Sequence, residues 1–110
     1  MNDTQRQIAR KLIQLLTETH YISVWQDEDY LIKQSHDVND ILAVMGKGVV
    51  DTLDIEKPSD SNDEPYQGTI IYLIYRDGTV VIDGHITPAI EPIVDQIKKF
   101  AASLTAEAAS

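Results

Sequence analysis

Three histidines (His20, His36 and His85) and eighteen carboxylates are the side chains of this 110-residue chain with the chemistry to bind a metal or move a proton. The local pairs are His36-Asp37 and Asp83-Gly84-His85. Neither has the spacing of a zinc or iron site, because no two histidines stand four apart on one helix and there is no cysteine pair. His20 reads as a cationic cap at a helix C-terminus, and His85 as a strand-end residue. No serine stands in a glycine-flanked elbow, so nothing marks an activated hydroxyl. With no cysteine in the chain, there is neither a thiolate nucleophile nor a disulfide. Gly46-Lys47-Gly48 closes a helix, whereas a phosphate loop must open one after a strand. Asp60-Ser61-Asn62-Asp63-Glu64 offers calcium-type oxygens but lacks the glycine and distal glutamate of a helix-loop-helix calcium site. The reading is therefore of no catalytic residue, no metal site and no cofactor.

Charge is the stronger signal. The net charge is −9, and Asp27 to Glu64 holds eleven carboxylates (Asp27, Glu28, Asp29, Asp37, Asp40, Asp51, Asp54, Glu56, Asp60, Asp63, Glu64) against Lys33, Lys47 and Lys57. The flanks are close to neutral. A field of this sign repels nucleic acid and anionic lipid and attracts basic protein surfaces. Asp37 and Asp40 have a structural explanation in the first turn of a helix, where carboxylates complement the dipole. The rest either solvate an ordinary acidic surface or form a binding face.

The elements that would position these groups follow from periodicity. Ile8, Leu12, Leu15 and Leu16, widened by Ala9 and Ile13, predict a first helix, with Thr4 and Gln7 as its capping box, ending near His20. Tyr21 to Gln34 reads either as a short hairpin or as a loop followed by a helical turn. Val38, Ile41, Leu42 and Met45 predict a second helix, starting at Ser35 or Asp37 and stopped by Gly46 and Gly48. Val49 to Lys57 alternates as a strand, and Asp51 falls on the parity of Val49, Leu53 and Ile55, where it spoils the apolar face. Residues 58–67 form an exposed acidic loop. Thr69 to Tyr75 and Thr79 to Ile82 flank Arg76-Asp77-Gly78 as a hairpin. Gly84 to Pro88 ends the sheet. A last helix, starting between Pro88 and Pro92 and capped by Thr87, carries Ile90, Ile93, Val94, Ile97, Phe100, Ala101 and Leu104, with a frayed tail over 105–110.

The expectation is one α+β domain over residues 1–110, a three-stranded antiparallel meander packed by N-terminal, middle and C-terminal helices. The middle strand is apolar on both sides, so its second face wants cover from the long loop, the Tyr21 to Gln34 segment or a second copy. No apolar run reaches the roughly 20 residues of a membrane span, and the N-terminus lacks the apolar core of a signal peptide. A cytoplasmic protein is expected.

Ile41-Leu42-Ala43-Val44-Met45-Gly46, Asp51-Thr52-Leu53 and Gly68 to Gly78, within residues 38 to 95, resemble small uncharacterised acidic proteins of bacteriophages and mobile elements. No site residue transfers from that resemblance. It implies a context in which small acidic proteins include inhibitors of host defence, some of them DNA mimics.

The resulting expectation is a non-enzymatic binding protein engaging a basic, nucleic-acid-binding host protein through Asp27, Glu28, Asp29, Asp51, Asp54, Glu56, Asp60, Asp63 and Glu64. Tyr30 and Tyr66 would be its interface aromatics. It would not contact nucleic acid or membrane directly, and homodimerisation is open to it. The alternatives are a small enzyme or metal-binding domain using carboxylate chemistry, and a self-associating structural domain. An inhibitor should spread its carboxylates over one exposed face; an enzyme should converge some of them in a pocket.

Overall fold

A computed structural model describes residues 2–26, 28–57 and 66–109, with side chains described as far as residue 104. The order is α1 (Asp3–Thr17), β1 (Tyr21–Gln26), β2 (Asp29–Ser35), α2 (Val38–Val44), β3 (Val50–Glu56), β4 (Tyr66–Ile74), β5 (Val80–Ile86) and α3 (Glu91–Ala109). The α+β class is as expected, but the sheet has five antiparallel strands in the order β2-β1-β3-β4-β5, not three. Tyr21 to Ser35 supplies the two additional strands as a hairpin. The chain then returns through α2, and β3 pairs with β1 on the side away from β2.

α1 is capped by Asn2, whose Oδ1 accepts from the Gln5 backbone while Gln5 Oε1 accepts from the Asn2 backbone. The box predicted at Thr4 and Gln7 thus lies two residues earlier. Gln5 is buried, and its amide donates to the Tyr75 carbonyl at 2.8 Å, tying the start of α1 to the β4–β5 turn. Asp37 caps α2 by accepting from the Asp40 backbone, and Gly46 leaves the helix at φ +80°.

Every helix packs on the same side of the sheet. Val24, Leu53 and Ile70 form one cross-strand row facing them, and Ile22, Ile55 and Gly68 the next. Ile8, Leu12, Ile13 and Leu16 of α1, Ile41 and Leu42 of α2, and Ile90, Val94 and Ile97 at and within α3 close over these rows in one core. Two glycines allow the closure near β5. A Cβ on Gly68 would run into Ile90, and one on Gly84, whose φ is +115°, into the Thr69 carbonyl.

Other boundaries differ from expectation. β4 begins at Tyr66, so the last two residues assigned to the acidic loop are strand. β5 continues through Gly84, His85 and Ile86. The Thr87 hydroxyl donates to the Gln67 carbonyl instead of capping α3, while its own carbonyl accepts from Ile90 and Glu91. α3 stays helical through Ala109, beyond the point where its apolar stripe stops. The remainder of the expected loop, residues 58–65, lies outside the described residues.

Candidate functional site

The face of the sheet turned away from the helices is where exposed chemistry collects. Strand alternation puts Tyr21, Ser23 and Trp25 of β1, Val50, Thr52, Asp54 and Glu56 of β3, Thr69, Ile71 and Leu73 of β4, and Val81, Asp83 and His85 of β5 on this side. Three cross-strand rows organise it. One runs Trp25, Thr52, Ile71, Asp83; a second runs Ser23, Asp54, Thr69, His85; a third runs Val50, Leu73, Val81. The face is thus apolar toward one end and polar and aromatic toward the other.

Its polar part is a connected set. Thr69 Oγ1 donates to Asp54 Oδ1 at 3.1 Å, and the Tyr66 hydroxyl lies 2.6 Å from the same Thr69 oxygen. The Tyr30 hydroxyl reaches over β1 to Asp54 Oδ2 at 3.5 Å, a long contact that holds this oxygen loosely. The Tyr66 ring is stacked with His85, the planes 13° apart, and Tyr30 lies beside Trp25 with ring centroids 6.2 Å apart. Lys33 Nζ sits 4.8 Å from the centre of the Tyr30 ring. Glu56 accepts from the Gln34 amide at 3.0 Å. Among the described residues, none of Asp54, Glu56 and Asp83 is neutralised by an ion pair.

The two aromatics proposed as anchors are therefore both present on this face, Tyr30 at 49% exposure and Tyr66 at 40%. Asp54 and Glu56 join them, and the exposed Glu28 and Asp29 stand at the β1–β2 turn, where Glu28 adopts φ +72°. Asp27, Asp60, Asp63 and Glu64 lie outside the described residues. Asp51 does not belong to the surface. It has 0% exposure, faces the helices, and accepts the Gly46 backbone N–H on Oδ2 at 3.0 Å, leaving Oδ1 without a hydrogen-bond partner among the described residues. Burial raises its pKa above the usual carboxylate range, opposed in part by the Gly46 hydrogen bond. Its cross-strand neighbour Tyr72 is also buried, donates its hydroxyl to the Gln5 carbonyl at 2.7 Å, and has its pKa raised first by burial and then by the Asp51 charge.

The histidines are dispersed. His20 is buried at the end of α1, with Nδ1 2.8 Å from the Thr19 hydroxyl. Its pKa is lowered chiefly by burial and then by Lys57, so it is not the cationic cap expected from the sequence. His36 lies edge-on to Tyr21, and His85 is on the open face. Among the described residues, no three histidine, aspartate or glutamate side chains are grouped as metal ligands. A groove of about 270 Å³ lined by Asn2, Gln5, Val49, Ile74, Tyr75 and Arg76 contains no carboxylate.

Sequence reasoning missed Thr69, His85, Trp25 and Ile71 as members of the site. The Thr69, Ile71, Leu73 parity was visible, but the run from Ile70 to Ile74 reads as apolar throughout and hides which side is open. The chain matches no family model, no curated protein and no solved structure. Among the described residues, no helix is long and apolar enough to cross a membrane.

Proposed function

We propose that the protein is a non-catalytic binding domain whose open sheet face docks a basic protein surface. The observation that carries this reading is the face itself, in which carboxylates without ion-pair partners among the described residues, exposed aromatics and half-exposed Ile71 and Leu73 share one side of the sheet. Aromatic side chains bring large contact area at small entropic cost, and carboxylates supply steering and register. A second copy is the weaker occupant, because each copy would bring the same carboxylates and the same net charge of −9 to the interface. An enzyme using paired carboxylates finds less support, since Asp51 is the one enclosed carboxylate among the described residues. A phage-type inhibitor that presents a DNA-like charge pattern to a nucleic-acid-binding protein is the specific form of this function we favour, on the net charge of −9.

The test is retention of partners from a cell lysate on the immobilised protein at low and high salt. It is run with Asp54→Lys/Glu56→Lys/Asp83→Lys and, as a control on the other side of the molecule, Glu91→Lys/Asp95→Lys. A basic polypeptide retained by wild type and control, and lost with the triple variant or in high salt, supports the reading. Retention that is indifferent to the triple variant, or no specific retention at all, overturns it.

A further inference from the structure

Asp54 is placed differently from the other acidic groups of the open face. It sits in the middle strand, half-buried, and its two oxygens are approached from opposite sides by Thr69 and by Tyr30. Each contact is a single hydroxyl, and a carboxylate oxygen has two lone pairs, so both oxygens keep acceptor capacity. Aromatic groups flank the position: Tyr30, beside Trp25, approaches it directly, and Tyr66, stacked on His85, is linked to it through Thr69. By contrast, Glu56 holds the Gln34 amide, and Asp83 is exposed, with no aromatic or hydrogen-bonded neighbour among the described residues.

A planar cation with paired donors matches this arrangement better than a point charge. A guanidinium can bond both carboxylate oxygens at once and lay its face on an aromatic ring, whereas an ammonium does one or the other. Lys33, poised over the Tyr30 ring, shows that this surface already accommodates a cation against an aromatic. Partial burial strengthens such a pair relative to one on a fully wet surface.

We infer that the Asp54 position, flanked by Tyr30 and Tyr66, is an arginine-reading site, so that the basic partner is recognised through an arginine side chain in preference to lysine. The inference deepens the docking reading and rests on it. Trp25, the single tryptophan of the chain, lies on the same face beside Tyr30 and gives an intrinsic fluorescence signal for binding.

The probes are two eight-residue peptides, arginine alternating with glycine and lysine alternating with glycine, titrated into the full chain and into Asp54→Asn, Tyr66→Ala and the Asp54/Glu56/Asp83 lysine triple variant. Circular dichroism and thermal melting establish that each variant is folded. The expected result is several-fold tighter binding of the arginine peptide to wild type. Asp54→Asn should weaken that peptide about tenfold, as loss of a charged hydrogen-bond partner does, and bring the two peptides to near-equal affinity. Tyr66→Ala should narrow the preference less. Equal affinities in wild type, or a preference that survives Asp54→Asn, overturns the arginine site. If both peptides bind equally and the triple variant abolishes both, the docking face stands and the arginine reading falls. If neither peptide binds, the arginine reading also falls, and the lysate experiment decides the docking face by itself. Concentration-dependent self-association that is abolished by Ile71→Lys, with no peptide binding, would assign the face to a second copy and overturn the inference.

Discussion

Leu53 and Asp54 are neighbours in β3, yet they belong to different regimes. Leu53 points to the helices, is fully enclosed, and shares a row with Val24 and Ile70. Asp54 points the other way, keeps contact with solvent, and shares a row with Ser23, Thr69 and His85. The same division runs along β4, where Gly68, Ile70 and Tyr72 are buried while Thr69, Ile71 and Leu73 are only half covered. A strand alternates its side chains between two faces, and here three helices cover one face, as far as the described residues go. Stability should therefore reside in the covered face and recognition in the open one.

The sharpest way to break that division is to shorten one residue on each side of the same strands. Leu53→Ala should destabilise the fold by about 2–5 kcal/mol, because a fully enclosed leucine leaves a cavity. Ile71→Ala should cost about 1 kcal/mol or less and instead reduce partner retention. Urea unfolding of the two variants measures both effects, and equal losses would mean that the open face is enclosed in solution.

A second effect, of about 1–3 kcal/mol, is expected from Gly84→Ala. The new methyl would meet the Thr69 carbonyl, and the backbone there has φ +115°. Because β5 lies next to Thr69, thermal melting should show the loss together with weaker partner binding. A variant as stable as wild type would mean that β5 can shift without disturbing either face.

Asp51 gives a third, pH-dependent test on the covered face. Its folded pKa is raised, so the folded state holds its proton more tightly than the unfolded chain does. The associated stability is fully present below the unfolded value of about 4 and is lost as pH rises through the folded value. Asp51→Asn should remove this loss and be more stable than wild type near pH 8, with the gain shrinking toward pH 4. Melting curves across that range decide it, and a gain that does not vary with pH would contradict the burial assigned to Asp51. His20 runs in the opposite sense. Its folded pKa is depressed, so its contribution is present above pH about 6.5 and is lost as pH falls through the folded value.

The smallest effect is expected from Tyr66→Phe, which removes the hydroxyl beside Thr69 from an exposed pair. Stability should change by less than about 0.5 kcal/mol, measured by the same melting experiment.

The covered face was largely legible in the sequence because its signals are periodic. The stripes of α1, α2 and α3, the alternation of β3 and the Arg76-Asp77-Gly78 turn all correspond to structure, and Gly78 takes a positive φ of 92° in that turn. The β1–β2 hairpin was legible only as one of two readings. Its register shifts on both sides of Val24, and Gln34 takes φ +48°, so the two-residue alternation is interrupted where it would have been diagnostic. The α1 cap was misplaced because Asn2–Gln5 and Thr4–Gln7 offer the same three-residue spacing, and only the first makes both hydrogen bonds.

The open face was legible in part. Tyr30, Tyr66, Asp54 and Glu56 were identified by residue type, but their assembly through Thr69 depends on cross-strand register, which no local pattern encodes. Asp51 shows the opposite failure. Its parity with Leu53 and Ile55 already pointed inward, and grouping it by charge with the acidic surface overrode that signal. His20 was read from its place at a helix end, where a cation is favourable, but its burial favours the neutral form.

The most direct measurement is amide chemical-shift mapping of the isotope-labelled protein as the retained basic partner is added. The account predicts that the perturbed amides cluster at Trp25, Thr52, Asp54, Thr69, Ile71 and His85, and leave the exposed sides of α1 and α3 unchanged. Perturbations confined to the helices, with the open face silent, would contradict it.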